Sequence, residues 1–277
     1  MTESFRTQDR RTLAYRREGA GPLLVCHPGG PGFSSRYLAD LAGLGETFTL
    51  ILLDPRGTGG SDPASSYATD DYAADLEAVR VHLDLEQIDL LGHSHGGVAA
   101  AAYGARHPTR VRRLILASSL VRIHPEEMET AMQERSGEPW YEDAREALEL
   151  EDAGAYETED ELAEITRRFL PMYFARYDEV ARAYLEESVF PERANPDALR
   201  EFNEGIETWD MRDELPLIES PTLVITGERD FITGPVCSQE IAEGIAGAEL
   251  VIVPDCGHFT FVECPTRFRE EVARFLT

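Results

Sequence analysis

The chain contains no lysine. All 26 of its basic residues are arginine, and against 52 acidic residues they leave a net charge of −26. A surface so negative repels nucleic acid and anionic membrane, so neither is expected as a partner. Cysteine is scarce, with four in 277 residues. Cys26, Cys237, Cys256 and Cys264 form no C-x-x-C pair and have no zinc-ligand spacing, which argues against a disulfide framework or a metal site. No apolar run is long enough to span a bilayer, and Met1–Arg6 lacks the apolar centre of a signal peptide; a cytoplasmic protein is expected. Internal repeats are missing too. The length suits one large core with an insertion.

What is present is a strong local pattern. Ile88-Asp89-Leu90-Leu91 reads as a short buried strand, Gly92-His93-Ser94-His95-Gly96 follows as G-x-S-x-G, and Gly97 to His107 reads as a small-residue helix stopped by Pro108. A serine on a tight strand-to-helix turn has its hydroxyl pushed clear of the sheet, and glycines beside it avoid collision with the neighbouring backbone. Ser94 is the expected nucleophile. Two further strands, Pro221–Gly227 and Ala248–Val253, are followed by Asp230 and His258. Ser…Asp…His, each just beyond the end of a strand, gives an acid, a base and a nucleophile: His258 takes the Ser94 proton and Asp230 orients the ring. Asp255, only three residues before His258, is the poorer acid. The strand Pro22–Cys26 leads into His27-Pro28-Gly29-Gly30-Pro31-Gly32-Phe33. Backbone N–H groups of Gly30 and His95 are the expected oxyanion donors. His27 and His93 read as loop supports, and Asp54-Pro55-Arg56-Gly57 as a braced turn that holds the glycine loop. No metal or organic cofactor is required.

The motifs His27–Gly32, Asp54-Pro55-Arg56-Gly57-Thr58-Gly59-Gly60-Ser61-Asp62 and Gly92–Gly97 resemble the proline iminopeptidase branch of the α/β-hydrolases, above all its shorter members. The resemblance implies an α/β-hydrolase fold, a mostly parallel sheet flanked by helices with a helical cap inserted. It also implies release of an N-terminal residue, often proline, from small peptides or amides through an acyl-enzyme, with cap carboxylates on the free amine. Glu201, before Phe202, corresponds to one such carboxylate, and Glu204 and Glu207 lie near enough to substitute. A second glutamate, which those relatives carry directly after the triad aspartate, is Phe231 here. Longer relatives carry an arginine where this chain reads Leu116-Ala117-Ser118-Ser119. Phe231 also suits an apolar pocket for an ester or lactone. A carboxylesterase or lactonase is therefore the alternative reading, with a carbon–carbon bond hydrolase and a non-catalytic binding module behind it.

Strands alternate with helices before about residue 122 and after about 215, as in a parallel sheet. The stretches at Glu3–Gln8 and Thr12–Arg17 suggest an edge hairpin. Between them and the C-terminal strands the sequence is acidic, helical in period and cut by Pro125, Pro139, Pro171, Pro191 and Pro196. The expected layout is core 1–121, cap 122–215 and core 216–277. Met172, Tyr173 and Phe174 read as cap packing. Gly29, Phe33, Trp209 and Phe231 complete the candidates for the substrate site, which takes a small molecule or short peptide.

Overall fold

The computed structural model describes residues 2–277. Eight strands form one sheet: β1 (Thr2–Arg6), β2 (Thr12–Gly19), β3 (Leu23–His27), β4 (Thr49–Asp54), β5 (Ile88–His93), β6 (Val111–Ala117), β7 (Thr222–Gly227) and β8 (Glu249–Val253). Their spatial order is β1-β2-β4-β3-β5-β6-β7-β8. The hairpin at the edge is antiparallel, with Glu3 opposite Tyr15, and β2 runs antiparallel to β4. From β4 onward all pairings are parallel.

Successive residues on a strand point to opposite faces, and here both faces are covered. Leu24, Cys26, Leu50, Leu52, Leu91, Ile115 and Ile225 enter one apolar cluster, while Val25, Ile51, Leu53, Leu90, Leu114 and Val224 enter the other. That double burial is why these strands read as unbroken apolar runs. After β4 comes α1 (Thr69–His82), and after β5 comes α2 (His95–Arg106). Between β6 and β7 there is no strand but five helices: α3 (Pro125–Gln133), α4 (Tyr141–Asp152), α5 (Glu159–Phe169), α6 (Glu179–Tyr184) and α7 (Pro196–Asn203). The chain closes with α8 (Pro235–Gly244), α9 (Thr260–Glu263) and α10 (Pro265–Leu276). Helices α1, α2 and α8 cover one face and α10 the other, where the core continues into the inserted helices through Leu162, Phe169, Phe174 and Leu185. No helix among the described residues is long and apolar enough to cross a membrane.

The prolines act where helices begin: Pro125 and Pro196 occupy the first turns of α3 and α7, where a missing N–H costs nothing. The two ends of the insertion are tied together by Met211 N–H donating to Val121 O at 2.9 Å. Three further ties hold it over the strand ends. Asn195 N–H donates to Gly32 O at 2.9 Å, Tyr184 Oη to Tyr37 O at 2.7 Å, and the buried Arg135 guanidinium to the carbonyls of Phe174 and Arg229.

Candidate active site

Ser94 sits between β5 and α2 with φ 57° and ψ −126°, a strained conformation for a residue with a side chain. The chain reaches it only because glycines flank it: a Cβ on Gly92 would lie 2.2 Å from Gly96 O, and one on Gly96 would lie 2.3 Å from His27 O. The turn is fixed from both sides, with Ser94 N–H donating to Ala117 O (2.9 Å) and Ser94 O accepting from Gly97 N–H (2.8 Å) and Ser119 Oγ (2.9 Å).

His258 and Asp230 come together although 28 residues separate them: His258 Nδ1 lies 2.9 Å from Asp230 Oδ2. Both are buried. Asp230 Oδ1 accepts the N–H groups of Ile232 and Thr233, and Oδ2 accepts the Thr233 hydroxyl at 2.6 Å. Burial opposes ionisation there, but His258 and the Thr233 hydrogen bonds outweigh it and hold the carboxyl down at about 2. An ionised Asp230 only accepts, so His258 Nδ1 carries the proton and Nε2 is left bare for a donor. The His258 backbone is clamped as well, its N–H on Tyr173 O (2.8 Å) and its carbonyl 3.1 Å from His93 Nε2. Asp255, the rival acid, is exposed and makes no hydrogen bond to His258.

The glycine loop after β3 lies directly against the nucleophile: a Cβ on Gly29 would stand 2.6 Å from Ser94 Cβ. Gly30 adopts φ 119°, open only to glycine. Its N–H has no protein partner among the described residues, and that of His95 is one of the donors a helix start leaves free. The loop is held in part as expected: Asp54 Oδ1 accepts from Ser35 N–H and Oγ, but Arg56 pairs with Asp75 at 2.8 Å on the far side.

These loops and the inserted helices enclose a cavity of about 640 Å³. Gly30, Phe33, Ser94, His95 and His258 line it. Of the other expected contacts Glu207 borders it as well, whereas Gly29, Glu201, Glu204, Trp209 and Phe231 do not. Glu201 accepts from Tyr67 N–H (2.8 Å) and Ser66 Oγ (3.1 Å), so its carboxylate braces a surface turn instead of an amine. Glu204 is exposed outside the cavity. Trp209 packs behind Phe202, their rings 5.8 Å apart. Phe231 is buried edge-on behind Tyr173 at 5.0 Å, and Gly29 spends its N–H on Tyr37.

The wall that the sequence did not reveal comes from the insertion. Tyr173 lies edge-on to His258 at 5.1 Å and faces the cavity, whereas its neighbours Met172 and Phe174 are packing residues as expected. Leu162, Phe169, Leu170 and Phe259 make an apolar surface. Against it stand Glu151 and Asp152 at the end of α4, with Asn203 and Glu207 near the mouth. Glu151 is 9% exposed; Asn203 Nδ2 donates to it over a long 3.3 Å, and the Asp152 carboxyl lies within hydrogen-bonding reach. Burial, with Asp152 adjoining, pushes its carboxyl up to about 7. No arginine lines the cavity among the described residues. Nothing in the sequence distinguishes Glu151 from the other acids of α4; its place follows from how α4 packs on α5, with Asn203 of α7 reaching it.

Residues 22–265 match the model of a family described as having the alpha/beta hydrolase fold. The chain is 28% identical over 262 residues to "Proline iminopeptidase PfmaB" of Pestalotiopsis fici, covering 91% of each chain. It is 31% identical over 265 residues to the "2-hydroxymuconate semialdehyde hydrolase" of a Pseudomonas strain, covering 93% of this chain and 88% of that one. Among solved structures, the enol-lactonase from Burkholderia xenovorans superposes with a TM-score of 0.76 at 25% identity, over 99% of both chains.

Proposed function

The chain belongs to the α/β-hydrolase family, and within it we propose a serine hydrolase of the aminopeptidase kind, releasing proline-type N-terminal residues from small peptides or amides. Ser94 Oγ attacks the acyl carbonyl as its proton passes to His258 Nε2. Asp230 stabilises the imidazolium, and the N–H groups of Gly30 and His95 take the charge on the carbonyl oxygen. His258 returns the proton to the departing amine, leaving an acyl-enzyme. Water then attacks the ester, again losing its proton to His258, and the free acid leaves as Ser94 regains a proton.

The charge pattern of the cavity carries the choice of substrate. Among the described residues, Glu151 and Asp152 line it without a cationic partner, and no arginine borders the cavity. A buried carboxylate without a counter-charge is costly, so a substrate ammonium is the complementary ligand. The same pattern opposes an acid substrate such as the muconate semialdehyde named for the Pseudomonas relative, whose carboxylate would find no cation. The apolar wall of Leu162, Phe169, Leu170 and Phe259, with the likeness to an enol-lactonase, favours a second reading: a neutral ester or lactone.

Hydrolysis of a prolyl arylamide, its N-acetylated form and a short-chain aryl ester, with Ser94→Ala as the blank, separates these readings. Cleavage that requires the free amine supports the aminopeptidase. Ester cleavage with no turnover of the free arylamide moves the substrate to an ester or lactone.

A further inference from the structure

His93, one residue before the nucleophile, is buried and takes no part in the proton transfers above. Its ring nitrogens are nevertheless both engaged. Nε2 lies 3.1 Å from the carbonyl oxygen of His258 and Nδ1 lies 2.8 Å from Tyr37 Oη. A carbonyl only accepts, so Nε2 bears the proton. Burial keeps the ring neutral, its pKa lowered to about 3, so Nδ1 is bare. The Tyr37 hydroxyl must then donate to Nδ1, which leaves its oxygen to accept the Gly29 N–H at 2.5 Å. Each bond fixes the direction of the next. Gly29 N–H donates to Tyr37, Tyr37 to His93 and His93 to His258, and every member of the chain is buried. The inserted helices join at one end, through Tyr184 Oη on the Tyr37 carbonyl at 2.7 Å.

We propose that His93 and Tyr37 are positioning residues that lock the distance between the glycine loop carrying the oxyanion donor Gly30 and the loop carrying His258. The two loops follow different strands, β3 and β8, and share no direct hydrogen bond of their own among the described residues. A single three-bond strut spans them beneath Ser94. Because each link is directional and buried, cutting one leaves a buried donor or acceptor unpaired, and the loops relax to satisfy it. A shift of about 1 Å between oxyanion donor and base is worth about a hundredfold in rate.

The inference rests on the serine-hydrolase reading of Ser94, so the test begins with covalent labelling of the wild type by a fluorophosphonate; no labelling of the folded protein overturns that reading and the inference with it. Given a reactive wild type, Tyr37→Phe keeps the ring and deletes both of its hydrogen bonds. His93→Asn keeps an acceptor where Nδ1 stands and loses the donor to His258. His93→Gln keeps a donor where Nε2 stands and loses the acceptor for Tyr37. Each is expected to slow labelling and to lower kcat by about ten- to a hundredfold, with KM changed by less than kcat: Tyr37 and His93 border the cavity, but the groups removed hold the oxyanion donor and the base. Tyr37→Phe combined with His93→Gln, both of which cut the same link, should be no slower than the worse single variant. His93→Ala, which cuts two links, should be slower than either His93→Asn or His93→Gln. Labelling rates within threefold of wild type for Tyr37→Phe overturn the inference whatever the His93 variants do. Additive losses, or losses confined to KM, overturn it equally.

Discussion

The insertion supplies most of the cavity lining and the strand-end loops the rest, and the two are built on different principles. Around Ser94 the geometry is set within a few residues: Gly92 and Gly96 permit the turn, Thr233 holds Asp230 from three residues away, and Gly30 takes a backbone angle that only glycine tolerates. Glu151 is placed at long range. Its hydrogen-bond partner Asn203 lies 52 residues on, and its position depends on how the inserted helices, α4 on α5 first, pack together. On the proposed reading, chemistry is local and selection is tertiary. The two should come apart under mutation.

The largest effect belongs to the loops. Ser94→Ala should cut kcat by about 10⁴-fold or more on arylamide and ester alike, and Asp230→Asn by a similar order, because an amide no longer holds His258 in the tautomer with bare Nε2. Steady-state rates on both substrates check this. If Ser94→Ala kept a tenth of the activity on either, the chemistry would not reside in the loops at all.

The same division explains what could be read without coordinates. Ser94, Asp230, His258, Gly30 and His95 each sit in a short motif at the end of an apolar run, and sequence neighbours impose their geometry. The continuous apolar strands announced a doubly covered parallel sheet for the same reason. The cap carboxylates carry no such record. In a stretch dense with glutamate, helical spacing does not say which acid faces inward; Glu201 turned out to brace Tyr67, while Glu151, unremarkable in sequence, faces the cavity. Tyr37 was equally hidden, since its role depends on meeting His93, 56 residues on at the end of β5.

Next in size is a pH effect on stability. Glu151 is raised from 4.5 to about 7 chiefly by burial. The folded chain thus holds this proton more tightly than the unfolded chain, and the ionised form is penalised on folding. The penalty is absent below pH 4.5, grows between 4.5 and about 7 and is complete above that. Glu151→Gln removes it, so the variant should gain on the wild type by up to about 3 kcal/mol as pH rises through this window. Glu263, also raised to about 7 by burial despite three backbone N–H donors, is present in both proteins and drops out of the difference. Denaturation at pH 4.5 and pH 8 measures it. An unchanged gap would mean that the Glu151 carboxylate is solvated.

A smaller effect on selection should accompany it. With the amine-bearing arylamide, Glu151→Gln should raise KM about tenfold while leaving the neutral ester within twofold. The wild type should bind the arylamide more tightly as pH rises toward 7 and Glu151 ionises, as long as the amine keeps its proton. Equal changes in KM on both substrates would show that the cap shapes the cavity without reading charge.

The smallest effect sharpens the contrast within the cap itself. Glu201 occupies the position where the resemblance to proline iminopeptidases puts an amine ligand, yet its carboxylate holds the Tyr67 N–H and the Ser66 hydroxyl. Glu201→Ala removes two ordinary hydrogen bonds from a half-buried turn, a loss of about 1–2 kcal/mol, or a few degrees in Tm for a chain of this size. KM should stay within twofold on both substrates, because no atom of Glu201 borders the cavity. A tenfold rise in KM confined to the amine substrate would instead require α7 to turn Glu201 inward when substrate binds. Glu151 would then lose its standing as the charge reader, and the docked position of α7 would have to be one of two.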